Sequence, residues 1–295
     1  MSKLAENLGR KFVYTVEAKP PHGPDLSEFM QKIDVYRRIW PRIHGINVVD
    51  NLASRLFMSS LSSSILLKQN GLEPVMQMVC RDRNVLAMES DLIGASAFGI
   101  QNVLVLTGDH PRSGSSDHKN IRPVYEFDST SLIKVISMMN SGVEINGKPL
   151  NKPTDFFVGG AVSMGIKPLE PEVLKMKRKL SAGAGFFQTQ VVFEAKAVEK
   201  FLALSDKLLG DVRGRIILGV MPVSSEKTIS FLNSLPGIKV PGETARRIIK
   251  AKDPVEEGAS ITLELIDKAR EMGLAGAHIM PVSGVKTLER IIADL

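Results

Sequence analysis

The chain has 295 residues, of which 43% are hydrophobic and 24% charged, with a formal net charge of +6. That balance excludes a disordered or fibrous chain and fits a globular protein of one large α/β unit or two ordinary ones. The single cysteine, Cys80, excludes an internal disulfide and points to a reducing, cytoplasmic setting.

The N-terminal stretch Met1–Lys11 has no apolar centre and does not read as a secretory signal. No apolar run approaches the length of a membrane span. The basic residues are dispersed apart from one cluster, Lys175 to Lys179, which suits an anionic small ligand better than a nucleic-acid track. With Trp40 and three tyrosines, base-stacking platforms are not expected.

The first strand is Phe12-Val-Tyr-Thr-Val16, running into Glu17 and stopped by Pro20-Pro21, which cannot supply ladder N–H groups. Glu17 sits at the strand's carboxyl end. There it is either a rim carboxylate paired with a neighbouring cation or a catalytic group. Asp25 to Trp40 has helical spacing, with Leu26, Phe29, Met30, Ile33 and Tyr36 on one face. Ile43 to Val49 is a second strand ending at Asp50-Asn51, and Ala53 to Gln69 reads as helix, stopped by Asn70-Gly71. Val75 to Cys80 is the third strand and leads into Arg81-Asp82-Arg83-Asn84. Cys80 in this run reads as a buried strand-end thiol.

Val85 to Phe98 is helical and Asn102 to Leu106 is the fourth strand, closed by Thr107-Gly108. The polar stretch Asp109 to Pro123 follows, with His110 and His118 read as surface histidines; a loop this long in a compact domain is functional or disordered. Ser129 to Met139 is helical, and Asn140 to Thr154 is an excursion with Asn146-Gly147 as its turn. Phe156 to Val162 is the fifth strand. Its Gly159-Gly160 pair suggests close backbone approach by a ligand. Helix Glu170–Ala182, strand Phe186–Val192, helix Ala195–Leu208 and strand Arg215–Val220 come next. The chain closes with helical stretches Glu226–Leu235, Thr244–Ala251 and Ser260–Met272, strand Gly276–Met280 and helix Val285–Ala293.

Eight buried strands alternating with helices predict a parallel (β/α)8 barrel, with one domain spanning 1–295. A doubly wound sheet is the alternative, weakened because no G-x-G-x-x-G follows any strand. No Walker A sequence, H-E-x-x-H or metal-spaced Cys/His cluster occurs, so no metal site is expected. A barrel would gather at one mouth Glu17, Asp50 with Asn51, Cys80 with Arg81, Thr107-Gly108-Asp109-His110, Ala161, Gln188 with Gln190, Pro222 with Ser224, and Pro281 with Ser283. Carboxylates and amides together suit the edge of a flat polar heterocycle. Gln190 is otherwise a polar residue on a half-buried strand, and Asp109 otherwise a turn residue after Gly108.

Val16-Glu17-Ala-Lys-Pro-Pro21, Leu106-Thr-Gly-Asp-His110, Lys177-Arg-Lys-Leu-Ser-Ala-Gly-Ala184, Thr189-Gln190 and Gly219-Val-Met-Pro-Val223 resemble the methylenetetrahydrofolate reductase family in order and spacing, over nearly the whole chain. The resemblance implies a flavin-bearing barrel that reduces 5,10-methylenetetrahydrofolate to 5-methyltetrahydrofolate in one-carbon metabolism. It implies Glu17 as general acid toward N10, Asp109 beside flavin and pterin, and Gln190 as the amide contacting pterin and nicotinamide. Leu232 stands where the family has an aromatic substrate contact. It implies flavin contacts at Asp50, Asn51, Gln77, Arg81, Thr107, Gly108, Asp109, His110, Phe127, Asp128, Ser129, Gly160 and Ala161. Glu172, Lys175, Arg178, Lys179 and Ala184 would hold its phosphates and ribityl chain. Lys175, Arg178 and Lys179 share one helical face.

The chain departs from the family at Gln77 (histidine), Asp50 (threonine), Thr107 (arginine) and Ala161 (aromatic). These departures leave FAD or FMN as cofactor and NADH, NADPH or an accessory redox subunit as electron source. A homo- or hetero-oligomer is expected. Two other readings stay open: a flavin-binding subunit that passes electrons to a partner, and a pterin-binding barrel that transfers a methyl group without redox chemistry.

Overall fold

The computed structural model describes residues 1–113, 116–234, 238–281 and 284–295. Strands β1 (Val13–Ala18), β2 (Gly45–Val48), β3 (Pro74–Val79), β4 (Asn102–Leu106), β5 (Phe157–Val162), β6 (Phe186–Val191), β7 (Ile216–Val220) and β8 (Gly276–Ile279) pair in parallel and in sequence order into a closed barrel. β8 closes on β1 with Thr15 opposite His278, and β1 meets β2 with Glu17 opposite Asn47. The expected (β/α)8 architecture is what the chain forms.

The helices are α1 (Lys3–Asn7), α2 (Ser27–Ile39), α3 (Ser60–Gln69), α4 (Val85–Ala97), α5 (Ser129–Asn140), α6 (Glu170–Ala182), α7 (Ala195–Leu209), α8 (Glu226–Asn233), α9 (Gly242–Lys250), α10 (Pro254–Glu271) and α11 (Val285–Ala293). Among the described residues none is long and apolar enough to cross a membrane. The large core lies between strands and helices: Tyr14, Val16, Ile46, Met76, Val103 and Ile279 from the strands meet Phe29, Ile33, Leu92, Ile136 and Ile266 from the helices. Period-two alternation sends the other residues of each strand to the barrel axis.

Those axial residues form layers. At the floor a separate apolar cluster joins Val13, Val75, Leu104, Phe186 and Ile217 to Leu4 of α1, which plugs the bottom of the barrel. No element was expected at the N-terminus. Ser2 makes one by capping the Ala5 N–H, and its hydroxyl also donates to Asn102 at 2.5 Å. Above the floor the axis turns polar, with Thr15, Asn47, Gln77, Gln188 and His278 all buried. Large branched residues usually fill that layer. Burying five polar side chains there costs free energy unless they pair.

At two glycines of β5 a side chain would be crowded by the protein itself. A Cβ on Gly159 would meet the Phe186 ring at 2.3 Å, and one on Gly160 would meet the Lys179 side chain at 3.0 Å. Both therefore make room for neighbouring side chains of the protein itself.

Three boundaries also differ. The segment after β2 is not helical from Ala53. Asn51, Ala53 and Ser54 have φ of 42°, 55° and 56°, and α3 begins only at Ser60, capped by Ser59. α10 starts at Pro254 rather than Ser260, because Asp253 caps it and proline is tolerated in a first turn. α8 ends at Asn233; Leu235, like Gly114, Ser115 and Ser283, lies outside the described residues.

Candidate active site

Four members of the polar layer, Asn47, Gln188, Thr15 and His278, form one hydrogen-bonded chain. Asn47 and Gln188 form a reciprocal amide pair, at 2.5 Å from Asn47 Nδ2 to Gln188 Oε1 and 3.1 Å from Gln188 Nε2 to Asn47 Oδ1. Gln188 Nε2 also donates to the Thr15 hydroxyl at 3.2 Å, and that hydroxyl lies 2.9 Å from His278 Nδ1. The far side of the same imidazole, Nε2, stands 3.8 Å from Glu17 Oε2. Which of Thr15 and His278 donates in that contact is set by the imidazole tautomer.

Above this layer is a cavity of about 300 Å³ at the carboxyl ends of the strands. Glu17, Gln77 and Gln190 supply its polar edges, Leu104, Leu106 and Ala161 one apolar wall, and Met221, Leu232 and Ile238 another. The Glu17 carboxyl is 23% exposed, so it faces the cavity with part of its surface desolvated. Tyr36, buried behind it, donates to the Glu17 carbonyl at 3.4 Å; burial, and then the charge of Glu17, push its phenol up.

Gln190 reaches the cavity through an irregularity. Gln188 pairs with Ile217 but Val191 pairs with Gly219, so β6 carries one extra residue here. Such bulges re-aim a side chain. The Thr189 hydroxyl stitches this one, accepting from the Gly219 N–H at 2.8 Å and donating to the Gln190 carbonyl at 2.7 Å.

The remaining expected residues do not gather in this cavity. The buried Asp50 carboxylate binds Arg83 at 2.6 and 3.2 Å and accepts from the Val79 N–H at 3.0 Å. Arg81, 2% exposed, binds Asp82 at 2.7 and 2.6 Å and the carbonyls of Asn51 and Asp109 at 3.1 and 3.3 Å. Asn51 donates to Asp82 at 3.3 Å, and Gly108 offers its carbonyl to the Tyr125 hydroxyl at 3.0 Å. The Asp109 side chain is exposed and does not line the cavity. His110 is exposed and stacks on Tyr125, with ring centroids 6.5 Å apart. Thr107 binds Ser129 at 3.2 Å, Asp128 caps α5, and Phe127 packs against the core. His278, Thr15 and Asn47 were not foreseen, nor were Lys19 and Arg55 on the cavity wall. Reading every second residue of each strand would have exposed the polar axial layer.

A half-buried carboxylate over buried amides and an imidazole at the mouth of a parallel barrel makes this an α/β-barrel protein with a polar-edged site at the carboxyl ends of its strands. A family model described as methylenetetrahydrofolate reductase matches residues 2–295, and the chain belongs to that family. A 5,10-methylenetetrahydrofolate reductase of Pectobacterium carotovorum is 23% identical, covering 93% of this chain and 87% of its own length. That of Escherichia coli is 22% identical with the same coverage. Among solved structures, a Clostridium thermocellum protein described as binding two copies of 5-methyl-5,6,7,8-tetrahydrofolic acid superimposes with a TM-score of 0.68. It is 16% identical, with 99% of this chain and 96% of that one covered.

The residues present can be tested against a flavin, the cofactor general in this family. Leu104, Leu106 and Ala161 make an apolar wall for a flat tricycle, with Gln77 and Gln190 as amide edges. On α6 the three basic residues differ. Lys175 is paired with Glu172 at 2.7 Å, and exposed Arg178 lies in the field of Asp128. Lys179 is buried and donates to the Ala161 carbonyl at 2.6 Å, at the cavity's edge; burial holds its ammonium below the ordinary lysine range. The Ala184 N–H, in the turn that ends α6, donates to the Lys179 carbonyl at 3.0 Å. The apolar wall and amide edges fit a flavin ring, and of the three cations Lys179 is the one bonded to a residue of that wall.

Proposed function

We propose that this chain reduces 5,10-methylenetetrahydrofolate to 5-methyltetrahydrofolate. When bound, a flavin, FAD or FMN, would supply the hydride; NAD(P)H or an accessory redox subunit would recharge it. Gln77, Ala161 and Lys179 are the residues that would hold it.

The observation that carries the proposal is the Glu17 carboxyl at the cavity floor, 3.8 Å from His278 Nε2 and backed by a buried chain of amides. Glu17 delivers a proton to N10 of the substrate. The methylene carbon–N10 bond then breaks with its electron pair going to N10, and the carbon remains on N5 as an iminium that accepts hydride. His278 Nε2 faces the resulting carboxylate from 3.8 Å. Gln190 offers both donor and acceptor to the pterin edge. Leu232 and Met221 cover the opposite face and exclude water.

The test is a Glu17→Gln protein in anaerobic rapid mixing. Flavin reduction by its donor should continue at the parental rate. Reoxidation by methylenetetrahydrofolate should fall at least roughly 100-fold, the usual worth of a general acid. Reoxidation within a factor of about three of the parent would overturn the role of Glu17.

A further inference from the structure

We propose that the outer face of α4, with α3 beside it, is the contact surface of a two-fold dimer of this chain. On α4 the exposed residues are Leu86, Ala87, Ser90, Ile93 and Ala97, and exposed Phe98 follows at the carboxyl end. Leu86, Ile93 and Phe98 are 71%, 49% and 54% exposed. Three large apolar side chains so open to water on one helix mark a surface made for a partner.

Both ionisable residues of α4 are already engaged by the protein itself. Glu89 is buried and accepts from the Ile145 N–H at 2.9 Å, and Asp91 pairs with Arg83 at 2.9 Å. α3 leans on α4, with Leu61 Cδ2 3.8 Å from where a Cβ on Gly94 would stand, and the exposed residues of α3 are Ser62 and Gln69. Each of the other helices exposes at least one charged residue, so α3 and α4 form a charge-free sector of the outer ring.

That lack of charge selects the occupant. A partner recognised by its charge would need opposite charges on this face, and α4 offers none. A two-fold axis sets each central residue against its own surroundings repeated, so any charge there meets a like charge. An uncharged apolar face therefore suits a second copy of itself.

The spacing suits the same axis. Leu86, Ser90, Ile93 and Ala97 follow one another by four, three and four residues and lie on one stripe of the helix. That order of spacings reads the same from either end. Two α4 helices packed antiparallel about the axis set Leu86 against Ala97 of the second copy, and Ser90 against Ile93 of the second copy. Every contact of the stripe is then a large side chain on a small one, and the helix dipoles oppose each other favourably. At the rim, Glu126 accepts from the Val85 N–H at 2.6 Å, at the amino end of α4. Antiparallel packing brings it to the carboxyl end of the other α4, where Lys68 flanks Gly99. A 13-residue helix offers about 20 Å of length, so the contact falls at the small end of specific interfaces, and micromolar self-association is expected.

Sedimentation equilibrium across the micromolar range, on the parent, Ile93→Asp and Ile93→Lys, decides the matter. The parent should reach twice its 32.3 kDa. Each variant should weaken association at least about tenfold, because two like charges then face each other. Its far-UV circular dichroism should match the parent's, since Ile93 is exposed. Mixing the two variants should restore a dimer, as unlike charges then meet. Ser90→Cys should cross-link through a short bismaleimide, because its two copies lie three residues, about 4.5 Å, apart along the helix axes. The native Cys80 is buried and does not compete. Lys196→Cys, on the exposed side of α7, should give no cross-link. A parent that stays monomeric throughout overturns the proposal and leaves the face to a different protein. A dimer that survives both Ile93 variants and gives no Ser90→Cys cross-link overturns it as well, because the copies then meet elsewhere.

Discussion

Replacing Gln188 by leucine tests whether the polar axial layer is a connected unit. Gln188 is 3% exposed, and its partners Asn47 and Thr15 are 0% exposed. The substitution removes three hydrogen bonds, two to Asn47 and one to Thr15. The Asn47 amide would then lose its partners for both donor and acceptor in the middle of the barrel. An orphaned buried polar group costs about 1–3 kcal/mol, so the two ends of that amide sum to roughly 2–6 kcal/mol. A leucine of similar size returns part of this by apolar burial, leaving a net loss of about 2–4 kcal/mol. That is a large share of a typical stability of roughly 5–15 kcal/mol. Urea unfolding of Gln188→Leu, Asn47→Leu and the double variant measures it. The double variant should be at least about 1 kcal/mol more stable than the two single losses predict, since replacing both partners leaves nothing orphaned. Single losses below about 0.5 kcal/mol, or strictly additive ones, would show that the amides do not hold each other.

Cys80 is fully buried, and burial, with the charge of Asp128 adding to it, pushes its thiol up to about 12. A thiol reagent at pH 8 should leave the folded protein unmodified and react stoichiometrically once it is unfolded; rapid labelling of the folded protein would contradict this. His44 is held near 4, chiefly by burial and then by the charge of Lys3, against an ordinary 6.5. Below pH 6.5 the unfolded chain therefore binds this proton first. The contribution of His44 to stability is complete above 6.5 and is lost as pH falls toward 4, and His44→Gln should flatten that limb of a pH–stability curve. Gly159→Ala drives a methyl into the Phe186 ring at 2.3 Å and should cost about 1–3 kcal/mol in thermal melts; adding Phe186→Leu should recover part of it.

Much of this protein was legible in the linear chain. Apolar strands alternating with helical spacing reveal a parallel barrel because each strand must bury both faces, and the prolines after Glu17 mark where β1 stops. Glu17, Gln77 and Gln190 could be named because the carboxyl ends of parallel strands converge on one mouth whatever the details of packing. Their convergence on one cavity follows the same rule.

Tertiary structure alone decided the rest. The Thr15–His278 contact spans 263 positions and the Asn47–Gln188 pair 141, so no local pattern signals either. That Phe186 and Lys179 fill the space beside Gly159 and Gly160 is likewise invisible in the chain, because the neighbour of a glycine's empty space comes from another strand or helix. Asp50 and Arg81 stood at the right strand ends, yet Arg83, Asp82 and the loop carbonyls hold them. Position along a strand tells where a side chain starts. Which partner satisfies a charge is settled only when the barrel closes, because a buried charge takes whichever opposite charge the closed fold brings within reach.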